Sequence, residues 1–393
     1  MIRRFRERFN REFSPERYET FVTSVEKRVG AHIGFPLSET PCFLPRELFA
    51  TLVDVSQTLI GQLLGNAEYR KAADEVVPAP FRESRSARPS FLSIDFGLVQ
   101  GPNGFEARLV ELQAFASLYG FQLLLAETSR ELYGLEELSP YAPDLTRDTY
   151  IRAVGNAILG NNDPAETVLL EIDPQHQKTW PDFAMTEQIW GVRAVDFREV
   201  ERQGSRLFVR RNGTLTRIKR IYNRVIPDEL ERKGFTWPFA GQDDLEVEWA
   251  GSPDWFFRIS KFSIPYLSHP CVPDTRFLDE NPTIPEDNEN YILKPLFSFA
   301  GTGIKFAPTE ADIEAIAAGE RHNYIIQERM RFEPVIDTPH GKTQMEVRIM
   351  YVWPDEGQLT AVLPLIRMGR GMMMGVDHNR DLEWVGGSAG LWV

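Results

Sequence analysis

Tyr291 to Phe306 reads Y-I-L-K-P-L-F-S-F-A-G-T-G-I-K-F: an apolar strand ending on Lys294, a glycine loop, and the start of a second strand. Such a strand fixes where Lys294 emerges. Pro295 removes a ladder donor, and Gly301 and Gly303 let backbone N–H groups approach a triphosphate without interference from a Cβ. The segment therefore reads as a grip for ATP, with Ser298 and Thr302 in its loop as further contacts. It is not a Walker loop, because G-x-x-x-x-G-K-[ST] is absent and these glycines follow the lysine and open a strand. The alternative is an ordinary hairpin with Lys294 solvated at a sheet edge.

The chain around it has 393 residues, 42% hydrophobic and 26% charged, which are globular values and enough for two or three packed units. A formal net charge of -13 argues against nucleic acid or an anionic membrane as the main partner. Only Cys42 and Cys271 occur, so there is no disulfide framework and a reducing compartment is expected. Cys42, with no histidine nearby in sequence, reads as a buried or incidental thiol. The opening M-I-R-R-F-R-E-R-F-N-R-E-F reads as an exposed amphipathic helix without the apolar core of a signal peptide. No stretch approaches the roughly 20 apolar residues of a membrane span, so the expectation is a soluble, cytoplasmic protein.

Residues 43 to 76 carry Leu44, Leu48, Leu52, Val55, Leu59 and Leu63 at helical spacing, up to a break at Pro78 and Pro80. From Phe91 the pattern alternates: L-S-I-D-F-G-L-V, a P-N-G turn, then A-R-L-V-E-L-Q-A-F, a hairpin bearing acidic residues. T-V-L-L-E-I-D starts a strand, a helix covers about Ala184 to Trp190, and three strand-like runs end at R-I-K-R-I-Y-N-R, giving a Rossmann-like unit without a dinucleotide fingerprint. A third unit begins at Trp255, with a helix near Phe262 to Leu267, the hairpin, a helix from Glu310 to Gly319, and strands Tyr324 to Gln327, Met345 to Trp353 and Leu359 to Arg367. The expected architecture is α/β (α+β), in units 1–150, 151–254 and 255–393.

Lys261 in I-S-K-F-S-I-P-Y-L, Lys294 in I-L-K-P, then I-I-Q-E-R-M and E-V-R-I-M form a succession that resembles the ATP-grasp superfamily. The resemblance implies that Lys261 and Lys294 hold the nucleotide phosphates, and that backbone near Glu328 and Met330 meets the adenine edge. It further implies Glu328 or Glu333 at the ribose, Gln327 as an additional contact, and Arg348 aimed at the terminal phosphates. A strand arginine is as often a salt-bridge partner.

That superfamily usually places its magnesium ligands after the arginine, where Asp377 and Asn379 in V-D-H-N-R stand in a turn-forming sequence. The earlier hairpin matches better, since alternation puts Glu111 and Gln113 on one strand face and the turn can bring Asp95 alongside. Metal ligands ahead of the lysines imply a circularly permuted ATP-grasp, similar to the synthetase domain of glutathionylspermidine synthase. The matches to that family are Asp95, Glu111, Gln113 and Ser117, together with the closing segment R-M-G-R-G-M-M-M-G-V-D-H-N-R-D-L-E-W-V-G-G-S. Ser93 stands where the family has arginine, and Gln113 where it has asparagine.

The implied reaction joins a small-molecule or peptide carboxylate to an amine at the expense of ATP, through an acyl phosphate, with Mg2+ as cofactor. Arg348, Lys294 and Ser117 are its candidate catalytic residues. The alternatives are a nucleotide-binding protein of the same fold without catalysis, suggested by Ser93 and Gln113, and a small-molecule kinase. Elsewhere, His176 reads as a solvated loop histidine or one ending a strand at the site, Arg220 and Arg224 as strand-end charges paired with acids or as the lining of a path for an anionic substrate, and Met372, Met373 and Met374 as adaptable packing under a lid. Arg82, Arg85 and Arg88 are the candidates to replace the arginine absent at position 93.

Overall fold

Strands from both ends of the chain build the largest sheet. The computed structural model describes residues 1–393 apart from 83–85, 103, 240–244, 299–300, 376–378 and 380. In this seven-stranded sheet the order is Cys42–Leu44, Gly386–Trp392, Thr360–Gly369, Gly341–Val352, Phe91–Gly101 and Gly104–Gln113, with Ile336–Thr338 paired to one side of Gly341–Val352. The hairpin of the first segment and the strands of the third therefore share one sheet.

Alternation sets its two faces. Leu92, Ile94, Phe96, Met345, Val347 and Ile349 enter an apolar core with the helix Arg46–Gly65. Ser93, Asp95, Glu346 and Arg348 occupy the opposite face. A slip of one residue would exchange the faces and push charged groups into the apolar core, so the register is strongly specified.

The helical run near residues 43–76 is two helices, Arg46–Gly65 and Ala67–Val76, preceded by the strand Cys42–Leu44. The break falls at Asn66, whose side chain accepts the N–H groups of Glu68 and Tyr69 and caps the second helix. Arg46–Gly65 also corrects the hydropathy reading. At 20 residues and a mean hydropathy of 1.3 it is long and apolar enough to cross a membrane by those two measures. Its Phe49, Leu52, Leu59, Ile60 and Leu63 pack into the core of the large sheet.

The N-terminal helix Arg3–Glu12 is amphipathic as expected, but it is not an exposed appendage. Phe5 and Phe9 are buried against Phe43, Tyr133 and Trp384.

Three smaller sheets complete the fold among the described residues. One is parallel, in the order Glu248–Ala250, Arg220–Asn223, Thr167–Glu171 and Arg193–Asp196, with the helix Trp180–Trp190 crossing between its last two strands. The expected strand R-L-F-V-R lies outside it, because Arg206–Arg211 pairs with Glu201–Gln203 and Thr214–Ile218 in a separate antiparallel sheet. The third is antiparallel, in the order Thr275–Phe277, Tyr324–Glu328, Tyr291–Pro295 and Lys305–Phe306. Near Phe262 a 3-10 helix, Lys261–Tyr266, replaces the expected α-helix, and Glu310–Glu314 ends short of Gly319.

Candidate functional site: a cleft of paired charges

Lys294 sits on an interior strand, flanked by Tyr324–Glu328 on one side and Lys305–Phe306 on the other. It is buried at 4% exposure, which rules out a lysine solvated at a sheet edge. Its ammonium donates to Gln327 Oε1 at 2.6 Å, and Gln327 Nε2 donates to Thr275 Oγ1 at 3.0 Å. Gln327 is thus a holder of the lysine. Burial, with nearby Lys261, lowers Lys294 to about 8, and Glu111 acts the other way.

Lys261 opens the 3-10 helix Lys261–Tyr266, where the Ser260 side chain accepts the N–H of Phe262. Its Nζ donates to the Ser298 carbonyl at 2.7 Å and stands 3.9 Å from Glu111 Oε2. Burial lowers its pKa, opposed by Glu111. The two lysines, the loop after Lys294 and Glu111 of the distant hairpin therefore meet in one charged cluster.

On the wall of the large sheet the register aligns Arg348, Asp95 and Glu111 across three neighbouring strands. Arg348 donates Nε to Asp95 Oδ1 at 2.6 Å and Nη2 to Oδ2 at 2.7 Å. Arg367 donates to the same Oδ2 and pairs with Glu346 at 2.7 Å. Burial alone would raise the Asp95 carboxyl, but the two guanidinium groups hold it below its usual value. Burial, with Asp95 and Glu111 beside it, lifts Glu346 to about 7 against the pull of Arg367. Arg348 stays above its usual value, because Asp95 outweighs the burial penalty.

Magnesium needs oxygen atoms at roughly 2.0–2.1 Å. Asp95 does not offer them freely, since both oxygens accept guanidinium donors and a dication there would sit beside two positive charges, the buried Arg348 and the half-buried Arg367. Gln113 donates its amide to Glu111 Oε1. Glu111 is more open, with its nearest cationic nitrogens at 3.9 Å. As a set, Asp95, Glu111 and Gln113 do not fit the expected magnesium site, and among the described residues no three His, Cys, Asp or Glu side chains are grouped as metal ligands. Asn379 is a loop brace that accepts from the Arg370 N–H and donates to the Met373 and Gly375 carbonyls, and Asp377 lies outside the described residues.

Beyond Glu328 the chain crosses to the large sheet, where Glu333 N–H donates to the Leu98 carbonyl. Glu328 pairs with Arg108 at 2.7 Å and so ties this crossing to the hairpin. The Phe332 ring covers Gly97, where any Cβ would overlap it. Beside it a cavity of about 200 Å3 is lined by Arg329, Met330, Phe332, Gln344, Arg370 and Met372. Gln344, which lines this cavity, lies two residues along its strand from Glu346, about 7 Å, and so on the same sheet face as the charge cluster.

The loop glycines have the expected conformation, with φ of 76° at Gly301 and 77° at Gly303. A Cβ on Gly301 would overlap the Met373 methyl, so the loop packs directly under the methionine segment. Thr302 is exposed. Ser117 stands apart: it precedes Leu118 (φ 65°), and the Asp182 carboxylate there accepts the N–H groups of Leu118, Gly120 and Phe121. No bond of the charged cluster reaches Ser117 among the described residues.

Arg367 and Glu346 belong to the site although neither was singled out from sequence. The signal was present in E-V-R, where Glu346 and Arg348 share a strand face, but Arg367 follows only from knowing that it lies opposite Glu346. The arginines considered for position 93 do other work. Arg82 binds the Val77 and Glu75 carbonyls, Arg88 binds carbonyls of residues 354, 355 and 357, and Arg85 lies outside the described residues. Arg220 is buried with Glu248 and Asp355, Arg224 with Asp182, and the exposed His176 accompanies Asp173.

No family model matches the sequence, and no curated protein does. Among solved structures, the chain is similar to a glutathione synthetase like-effector (GSS30) from Globodera pallida in apoform, at 13% identity and a TM-score of 0.62 over 97% of this chain and 98% of that one. The likeness shows the fold: a mixed α/β, glutathione-synthetase-like architecture along nearly the whole chain.

Proposed function

We propose that this chain is an ATP-dependent carboxylate–amine ligase on a circularly permuted ATP-grasp arrangement, similar to the synthetase domain of glutathionylspermidine synthase. One observation carries the reading. Lys261, Lys294, Arg348 and Arg367, from distant parts of the chain, converge on Asp95 and Glu111 in one charged cluster, and Gln344, on the same strand face as Glu346, lines the cavity at Met330.

In this reading the base enters the cavity between Met330 and Gln344, and the phosphates extend along the sheet toward the lysines. Phosphoryl transfer calls for alignment and neutralised charge more than for covalent help, which buried ammonium and guanidinium groups supply. The substrate carboxylate oxygen bonds to the γ-phosphorus as the bond to ADP breaks. The amine nitrogen then bonds to the acyl carbon, inorganic phosphate leaves, and the amine proton passes to phosphate or water. Magnesium belongs to the family expectation, but no step here runs through it, because Asp95 is closed by arginines.

A second reading, nucleotide binding without turnover, draws on that closed Asp95 and on Ser93, whose buried hydroxyl has no hydrogen-bond partner among the described residues. The test is ADP release across pools of peptides, amino acids and polyamines. Release that needs both an acid and an amine supports the ligase. Nucleotide binding without release supports the second reading, and a stable phosphorylated product without amine points to a kinase.

A further inference from the structure

We infer that Asp95 is a positioning residue that holds Arg348 and Arg367 over the cleft, and that it does not coordinate a divalent cation. What the arginines face rests on the nucleotide reading above; the role of Asp95 itself rests on geometry. Arg348 lies directly opposite Asp95 on the next strand, so its planar fork spans both carboxylate oxygens without leaving the sheet face. Arg367 comes from one strand further and one row along, where it bridges Asp95 and Glu346.

One buried carboxylate thus fixes two guanidinium groups from two strands. A free arginine gains much less from a phosphate, because it must first be ordered. A divalent ion at either oxygen would have to displace charge-assisted bonds in a site where Asp95 is 1% exposed. Glu111 shows the contrast: at 22% side-chain exposure, with its cations at 3.9 Å, it has accessible oxygens. The cation that the cleft presents next to Asp95 is therefore an arginine built into the sheet.

The test measures Mn2+ binding by electron paramagnetic resonance and ATP binding by calorimetry, with and without Mn2+, for the wild type, Asp95→Asn, Glu111→Gln and Arg348→Lys. The expected result is that Asp95→Asn changes Mn2+ affinity by less than about threefold yet weakens metal-free ATP binding by about tenfold or more. Arg348→Lys, which keeps the charge but loses the fork, should also weaken ATP binding, and the double variant should lose less than the product of the two single losses, because part of the Asp95 effect acts through Arg348 and the rest through Arg367. A tenfold or larger loss of Mn2+ affinity in Asp95→Asn, with metal-free ATP binding unchanged, overturns the inference. Should Asp95→Asn not fold, the anomalous signal of Mn2+ in wild-type crystals decides. Manganese bonded to an Asp95 oxygen overturns the inference; manganese elsewhere, or none bound, supports it. Failure of the wild type to bind ATP would instead remove the proposed function, and the manganese arm would still decide the role of Asp95.

Discussion

Arg348 clasps Asp95 across two antiparallel strands through both carboxylate oxygens, and both residues are almost completely buried. Removing one partner of a buried ion pair strands the other, at a cost of roughly 3–5 kcal/mol. Because Arg367 still reaches Asp95, Arg348→Ala should lose about 3 kcal/mol, at the low end of that range. Urea unfolding checks this, and a loss within experimental error would mean that the pair contributes nothing to the sheet.

Gly97 leaves room for the Phe332 ring against the strand that carries Asp95. Gly97→Ala should cost about 1–3 kcal/mol through overpacking, and the added Phe332→Ala substitution should recover part of that loss. Thermal unfolding of the single and double variants measures the coupling. Simple additivity would show that the ring does not rest there.

Glu171, at the end of a strand in the parallel sheet, is raised to about 8 by burial, against the pull of Arg224. The folded state therefore takes up a proton that the unfolded carboxyl, with a pKa near 4.5, releases. This contribution to stability is complete below the unfolded value and is lost as pH rises through about 8. Glu171→Gln should flatten the fall in urea midpoint between those limits and be the more stable form at the alkaline end. An unchanged slope would place the titration elsewhere.

Lys294 is lowered to about 8, first by burial, so its ammonium is lost as pH rises past that point in the free protein. Phosphate binding requires the charged form, so ATP affinity should decline above about 8, and Lys294→Met should abolish the decline along with most of the affinity. Calorimetry across that range reads the effect, and equal pH profiles for both proteins would exclude Lys294 as its source.

Much of the cleft was legible because strand alternation survives in the sequence. Lys294, Asp95, Glu111 and Arg348 each stand in a run whose apolar residues mark the other face, and hairpin pairing follows from the P-N-G and glycine turns. Arg367 was not legible, since its place beside Asp95 depends on the register of two strands joined to a third from far upstream. The helix Tyr119–Leu132 went unread because it is buried on nearly every side, without a break from Tyr119 to Ala126. At the N-terminus the amphipathic pattern of Arg3–Glu12 was plain, but a pattern gives the apolar face and not what covers it. Closure of Asp95 by arginines was hidden for the same reason: a sequence shows which carboxylates are present, while their partners come from the fold.

The account stands on a triphosphate being held by buried cations from both sides of the cleft. Calorimetric titration of ATP into the wild type and Lys294→Met tests this most directly. The prediction is measurable binding to the wild type and a loss of about 1.5–3 kcal/mol in the variant, with the thermal midpoint retained. Equal ATP affinity in the two proteins would contradict it.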